Sequence, residues 1–373
     1  MKIGIVCPYN MALGGAVQEV CKEQHDEFKR LGHEVAIVTP LPRQGKPKNI
    51  SQRIIYIGKG RDPKTPLGTV AQVSYCADPK EIDRMLDEEK FDVLQVHEPW
   101  VPLIGRQIIE RRRCPVVATF HAKLPENWAG VAIKKYGSLY TLPPLKFIDE
   151  FVYVSEPARE LISTLTDKKL HYIPNSVNLV EFHPEKAHEP LDKAKKTLLF
   201  VGRHEERKGV TYLLAAFKKL QEKRDDVRLI VGGMGPDHKK LVTQVADDDI
   251  KNVEFIGFVE DARKKELMRR CDLFVAPAIF GESFGIILIE ALASGAVVIA
   301  GDNPGYRSVM IDVGQIGLVD PLDVDQFAAR LDLLLDNDSL RTVMSEWAKT
   351  YVKQFDYRIT GKQYLEIYEN LVK

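Results

Sequence analysis

Short β-branched runs alternate along the chain with stretches whose apolar residues recur at helical spacing, and this alternation sets the fold class before any single residue is weighed. Ile3-Gly4-Ile5-Val6 leads into residues Val17 to Leu31, where apolar positions return every three or four residues, and Val35-Ala36-Ile37-Val38 follows. The rhythm recurs at Val93-Leu94-Gln95-Val96, Val116-Val117-Ala118-Thr119 and Phe151-Val152-Tyr153-Val154. Strands separated by helices in this way predict a parallel sheet built from βαβ units. After an irregular, proline-containing stretch from Ile173 to Pro190, a second series begins. It runs through Leu198-Leu199-Phe200-Val201, Leu229-Ile230-Val231, Val253-Glu254-Phe255-Ile256, Leu273-Phe274-Val275-Ala276 and Val297-Val298-Ile299-Ala300. The pattern predicts an α/β protein of two Rossmann-like, doubly wound domains, residues 1–172 and 173–354, closed by an amphipathic helix over residues 355–373.

The 373 residues suit two domains, at roughly 150 residues each. The 53 basic residues balance the 53 acidic ones, so no global field favours nucleic acid or an anionic membrane, and any charged site must be local. Cys7, Cys21, Cys76, Cys114 and Cys271 are odd in number and form no C-x-x-C pair, which argues against a disulfide framework or a zinc site. A reducing cytoplasm is the expected setting. The chain opens on a strand pattern, and no apolar run approaches the roughly 18 residues of a membrane span, so neither export by a signal peptide nor an integral membrane protein is expected. The expected helix Pro79 to Lys90 carries Glu81, Asp83, Asp87, Glu88 and Glu89, unlike the basic helices that dock on anionic lipid. The stretch Ile133 to Lys146 mixes lysines with Tyr136, Leu139, Tyr140 and Leu142 and is expected to pack on the sheet, with receipt of a lipid chain as the alternative.

Doubly wound sheets bind ligands beyond the carboxyl ends of their strands, so the segments following the strands carry the candidate chemistry. After the first strand, Gly14 and Gly15 precede a helix whose N-terminus favours phosphate. The spacing departs from G-x-G-x-x-G, which weakens a nicotinamide-oxidoreductase reading. After Val201, Arg203 and Lys208 can meet a diphosphate, although solvated surface charge is the commoner fate of such residues. The run Phe280 to Gly295 places Glu282 and Glu290 eight residues apart. Ser283 reads as an N-cap, so the helix is expected to start near Phe284. Glycine at 285 costs roughly 1 kcal/mol in a first turn, compensated by open access to backbone N–H groups. Asp323-Val324-Asp325 and Asp336-Asn337-Asp338 fall in or between late amphipathic helices and read as solvated faces, so no metal site is expected.

Gly281-Glu282-Ser283-Phe284-Gly285 followed by Glu290 resembles the E-x7-E motif of the GT4 glycosyltransferases. Gly14-Gly15, Ile173-Pro174-Asn175-Ser176-Val177, Gly202-Arg203 with Lys208-Gly209, and Val297-Val298-Ile299-Ala300 extend the likeness along essentially the whole chain. Ile5-Val6-Cys7-Pro8-Tyr9, His97-Glu98-Pro99 and Ala118-Thr119-Phe120-His121 are most similar to the phosphatidylinositol mannosyltransferases within that family. The resemblance implies a GT-B fold with its two domains facing across a cleft: an acceptor side first, a nucleotide-sugar donor side second, and a final helix returning to the first domain. It implies that Glu290 holds the donor ribose, while Arg203, Lys208 and the N–H groups around Phe284, Gly285, Ile286 and Ile287 hold the diphosphate. His121 and Glu282 become the catalytic pair, binding the hydroxyls of the transferred sugar, with the His121 carbonyl near the anomeric carbon. Transfer with retention of the α configuration and without a metal is implied too.

Val259, Asp261 and Lys264 match the nucleobase loop of mannosyltransferases. Guanine offers adjacent N1–H and N2–H donors to one carboxylate, such as Asp261, which favours GDP-mannose; capping of the following helix by Asp261 is the structural alternative. Tyr9, Gln18 and Lys123 occupy acceptor-side positions, Lys123 as partner for an acceptor phosphate. The run Ala122-Lys123-Leu124-Pro125-Glu126 lacks the hydroxyl-rich character of the narrower subgroup, which counts against an inositol phosphate pocket; the expected acceptor is a phosphatidylinositol-like lipid or a glycan. No nucleic acid or obligate protein partner is expected. Peripheral contact with the inner face of the cell membrane is the expected limit of membrane association. UDP- or ADP-sugars are the competing donors, and a nucleotide-sugar-binding protein without turnover is the competing class.

Overall fold

The computed structural model describes residues 1–11, 15–42, 50–59, 77–99, 104–122, 144–163, 166–184 and 190–373. Lys123 and Gly14 lie outside these residues, as does most of the stretch 133–146. The chain divides into two compact units, Met1–Ser176 together with Tyr357–Lys373, and Val177–Asp356.

The first unit is built on a seven-stranded sheet of β1 (Lys2–Val6), β2 (Glu34–Leu41), β3 (Ile54–Lys59), β4 (Val93–His97), β5 (Val116–Phe120), β6 (Glu150–Tyr153) and β7 (Leu170–Tyr172). Their spatial order is β3-β2-β1-β4-β5-β6-β7, and the pairings are parallel. The order reverses at β1, which places the crevice between the carboxyl ends of β1 and β4. Alternation distributes side chains to two faces. Ile5, Ile37, Val93, Val117 and Val152 pack with Phe28 of the helix Ala16–Arg30 and with Tyr364 and Tyr368 of the helix Tyr357–Val372. Val38, Leu94, Val96 and Phe151 pack on the other face with Ile82, Leu86 and Ile108.

The last helix therefore belongs to the core of the first unit. The Phe28 and Tyr368 rings meet edge to face at 5.7 Å. A Cβ on Gly361 would sit 3.0 Å from Glu27 Cγ, so the two helices cross closely there. The acidic helix Pro79–Glu89 is capped by Asp78, whose carboxylate accepts from Lys80 N. Its charge is met internally: Arg113 pairs with Asp83 and Asp87, and Glu89 with Lys2 and Arg53.

The second unit carries a six-stranded sheet in the order β10-β9-β8-β11-β12-β13, with β8 (Lys196–Val201), β9 (Val227–Gly232), β10 (Val253–Gly257), β11 (Leu273–Ala276), β12 (Val297–Gly301) and β13 (Leu318–Val319). It too is parallel, and its order reverses at β8. Leu199, Ile230, Phe274 and Val298 pack against Leu288, Ile289 and Leu292 on one face. Leu198, Leu229, Val275 and Ile299 meet Leu213, Phe217, Phe327 and Leu331 on the other. The acidic triplets serve helix ends and surface pairs: Asp323 and Asn337 are N-caps, and Asp336 pairs with Arg224. Among the described residues no helix is long and apolar enough to cross a membrane, and no group of three or more His, Cys, Asp or Glu is placed to hold a metal ion.

Candidate active site

In the first unit the candidate residues gather beyond β1, β4 and β5. Tyr9 follows β1, and its carbonyl accepts from Thr39 Oγ1 at 2.7 Å. Burial, reinforced by the nearby Glu98 carboxylate, holds its phenol protonated well above the ordinary range. Gln18 lies in the first turn of the helix Ala16–Arg30, which Gly15 caps, and its Nε2 donates to the Asn10 carbonyl at 3.4 Å. Glu98 follows β4 with a left-handed backbone, φ +48°, uncommon for a residue with a Cβ. Its Oε1 accepts from the backbone N–H groups of His121 and Ala122. His121 is buried directly after β5. Its Nε2 lies 2.7 Å from His97 Nδ1, and its Nδ1 lies 2.9 Å from Asn175 Oδ1. Both ring nitrogens are thus engaged inside the unit, whereas no hydrogen bond among the described residues reaches the His121 carbonyl oxygen.

Burial lowers the His121 imidazole pKa to about 4 and that of His97 well below its usual value. A folded-state pKa below the unfolded one means that the unfolded chain binds the proton first. Stability is full above about pH 6.5, the unfolded value, and is lost as the pH falls toward 4. For His121 alone the loss over that window is about 3 kcal/mol. Urea unfolding of the first unit's signals at pH 7 and pH 5 is expected to show the drop. A His121→Asn variant is expected to show a smaller one.

In the second unit the chemistry collects beyond β8 and β11. After β8 the chain makes a short 3-10 turn, Glu206–Lys208, ended by Gly209 at φ +70°. A Cβ there would come within 1.9 Å of the Pro277 carbonyl oxygen, so only glycine brings this turn against the loop after β11. The contact delivers two cations to one carboxylate: Lys208 Nζ lies 2.7 Å and Arg207 Nη1 2.8 Å from Glu282 Oε1. Arg203 is not brought to Glu282. Its side chain, 45% exposed, pairs with Glu205 at 2.8 Å, and Glu205 also takes Arg207 Nε at 2.9 Å.

The helix after Glu282 begins later than the sequence suggests. It spans Ile286–Ala293, and its N-cap is Gly285, not Ser283. Gly285 has φ +110°, and a Cβ on it would lie 2.7 Å from the Tyr306 ring. The left-handed cap and the ring together force the late start. Phe284 is consequently buried before the helix, while Ile286 and Ile287 form its half-buried first turn. Glu290 lies on the second turn, buried, and accepts from Lys264 Nζ at 2.8 Å. Lys264 comes from the helix Asp261–Arg270, where Asp261 approaches it at 3.6 Å. Asp261 does not cap that helix: Glu260 occupies the N-cap without a side-chain bond, and the Asp261 side chain is 71% exposed. Val259 lies half-buried, its Cγ2 close to Gly232.

The structure thus adds Arg207, Glu205 and Gln24 to the candidate residues, and it brings His97 and Asn175, named from sequence only as motif positions, against His121. Gln24 had a legible signal, being a polar residue on the apolar stripe of Val20, Cys21 and Phe28. Arg207 had none, because a 3-10 turn has no apolar period to read.

The description "Glycosyltransferase Family 4" matches residues 14–181, and "Glycosyl transferases group 1" matches residues 182–351. A phosphatidyl-myo-inositol mannosyltransferase of Mycolicibacterium smegmatis is 32% identical over 100% of this chain and 94% of its own. Among solved structures, a glycosyltransferase from Rickettsia africae has a TM-score of 0.77 at 20% identity, covering 100% of this chain and 98% of that one. The Anabaena protein HepE in complex with UDP-glucose has a TM-score of 0.76 at 17% identity, covering 100% of both. The shared fold is GT-B: two parallel-sheet α/β units, here of seven and six strands.

Proposed function

The chain belongs to Glycosyltransferase Family 4, and on that premise we propose that it transfers mannose from GDP-mannose, with retention of configuration, to a hydroxyl of a phosphatidylinositol-like lipid or a glycan. The observation that carries this reading is the ordered charge of the second unit. Two cations, Arg207 and Lys208, converge on Glu282, and a separate buried pair, Lys264 with Glu290, lies in the adjoining helices. A nucleoside diphosphate needs such a division: fixed positive charge where the leaving group develops, and a carboxylate for the ribose diol. In this reading Lys208, with Arg203 and the N–H groups of Gly285, Ile286 and Ile287, meets the diphosphate, Glu290 takes the ribose, and Glu282 takes sugar hydroxyls. The first unit, residues 1–176 with 357–373, is the acceptor side, where Tyr9 and Gln18 line the acceptor and His121 contributes at the reacting centre.

The exposed Asp261 carboxylate, free of a capping duty, supports guanine as the base, since it can accept from N1–H and N2–H together. The structural likeness to a protein holding UDP-glucose favours a second reading, a UDP-sugar donor. Calorimetric titration with GDP, UDP and ADP separates them. GDP is expected to bind at least about tenfold more tightly than UDP, the equivalent of about 1.4 kcal/mol, and Asp261→Ala to erase that margin. Tighter binding of UDP would overturn the mannose donor and leave the family standing.

A further inference from the structure

The short helix Pro304–Arg307 follows β12 and carries a buried polar group beside Glu282. Asn303 caps it, its Oδ1 accepting from Tyr306 N at 3.0 Å and its Nδ2 donating to the Ala278 carbonyl at 2.9 Å. The cap thereby ties the loop after β12 to the loop after β11, which carries Glu282. The two loops touch again at Gly305, where a Cβ would lie 2.3 Å from the Glu282 carbonyl oxygen. Tyr306 comes next. It is 1% exposed, its ring set against Gly285 and packed in one core cluster with Phe284 and Leu288. The phenol oxygen is the exception to this packing. Among the described residues no hydrogen bond reaches it, and it keeps a small opening to solvent. Burial holds the phenol protonated well above the ordinary range, with Glu282 reinforcing the shift and Arg207 opposing it. The hydroxyl is thus a neutral donor within the field of the candidate site. A polar group so deeply packed and left unpaired is unfavourable unless a partner arrives in another state.

We propose that Tyr306 is a positioning residue for Glu282: as Lys208 turns from the carboxylate to the donor diphosphate, the Tyr306 hydroxyl donates to the carboxylate in its place and keeps it aimed at the transferred sugar. This deepens the proposed transferase reading and rests on it for its kinetic consequence. The carboxylate has room for the exchange. Lys208 Nζ and Arg207 Nη1 both reach Oε1, at 2.7 and 2.8 Å, whereas Oε2 takes no hydrogen bond among the described residues. An ionised carboxylate accepts up to about four bonds, so a rotation of the Glu282 side chain toward Tyr306 joins two groups that are both unpaired. Because the ring is fixed by the Asn303 cap and by Gly285, the donor is already in place when the lysine leaves.

Tyr306→Phe removes the hydroxyl and keeps the ring that fills the space beside Gly285, so the fold survives the test. Transfer from GDP-mannose is expected to fall roughly 10-fold in kcat, with donor KM and the Kd of GDP within about twofold of wild type. In a Glu282→Ala background the same substitution is expected to cost less than about twofold, because the group it acts through is gone. A wild-type kcat in Tyr306→Phe, or the same loss with and without Glu282, would overturn the proposal. Urea unfolding of the second unit supplies an arm that needs no donor, since Lys208→Ala mimics the departure of the lysine. In that background Tyr306→Phe is expected to raise the unfolding equilibrium constant about fivefold, against less than about twofold in the wild-type background. Equal effects in the two backgrounds would leave Tyr306 a packing residue and overturn the proposal. If the wild-type protein turns over no GDP-mannose, the donor reading fails, and the unfolding cycle still decides whether the Tyr306 hydroxyl serves Glu282.

Discussion

Replacing Glu282 by alanine is expected to lower transfer from GDP-mannose by about 10²- to 10³-fold while leaving GDP affinity unchanged or increased. The sign of the second effect comes from the charges around it. Glu282 Oε1 takes Lys208 at 2.7 Å and Arg207 at 2.8 Å, and Arg207 retains Glu205 when Glu282 is removed. The variant therefore exposes Lys208 to an incoming diphosphate without setting both cations adrift. In the proposed reading Glu282 gives up at least part of this pairing when the diphosphate engages the lysine, and the carboxylate so released meets sugar hydroxyls. A residue whose contact strengthens only in the transition state lowers kcat when lost, and leaves nucleotide binding alone. Measuring kcat with GDP-mannose and the Kd of GDP by calorimetry tests both halves. A Glu282→Ala enzyme with wild-type kcat would remove Glu282 from the reaction, and one with much weaker GDP binding would make it a nucleotide ligand.

The two sheets were legible because their central strands are buried on both faces and read as unbroken β-branched runs, Ile3 to Val6 and Val297 to Ala300 among them. β3, β7 and β13 escaped that reading. Each lies at a sheet edge, and β7 and β13 run for only three and two residues, too short for a period. The first unit extends to Ser176, beyond Tyr172, because Asn175 is bonded to His121 and the Ser176 hydroxyl to Glu23. Those are side-chain contacts between residues distant in sequence, and no local pattern announces them.

The site was legible in its residue types and less so in its pairings. Glu282, Glu290, Lys208 and Lys264 all stand out by motif, yet which cation each carboxylate takes depends on the fold. The late start of the helix at Ile286 is a case of tertiary override: Ser283 has the better capping side chain, but Gly285 alone fits beside Tyr306. Arg203 stands out by position and is half exposed, whereas Arg207, four residues on, is the arginine that reaches Glu282. The 3-10 turn and the close approach of Gly209 to Pro277 decide that exchange.

Glu290→Ala is expected to act on the donor's other end, weakening GDP binding by roughly 10- to 100-fold while kcat at saturating donor changes little. The carboxylate is buried on the second turn of Ile286–Ala293 and held by Lys264 at 2.8 Å. A ribose diol that donates to a charged acceptor gains about 1.5–3 kcal/mol per bond. Removing the acceptor costs that amount equally in the ground state and the transition state, which is why affinity falls and turnover does not. Two structural features separate this outcome from simple unfolding. Lys264 keeps Asp261 as a neighbour at 3.6 Å and the Phe182 ring 5.2 Å from its ammonium, so the vacated cation is not stranded. The helix itself is held by Leu288, Ile289 and Leu292 in the core, on side chains the substitution does not touch. Calorimetry with GDP and with guanine base alone completes the argument: the variant is expected to lose affinity for the nucleotide and keep it for the base. Equal GDP affinity in wild type and Glu290→Ala would end the assignment of Glu290 to the ribose, whatever Glu282 does for the sugar.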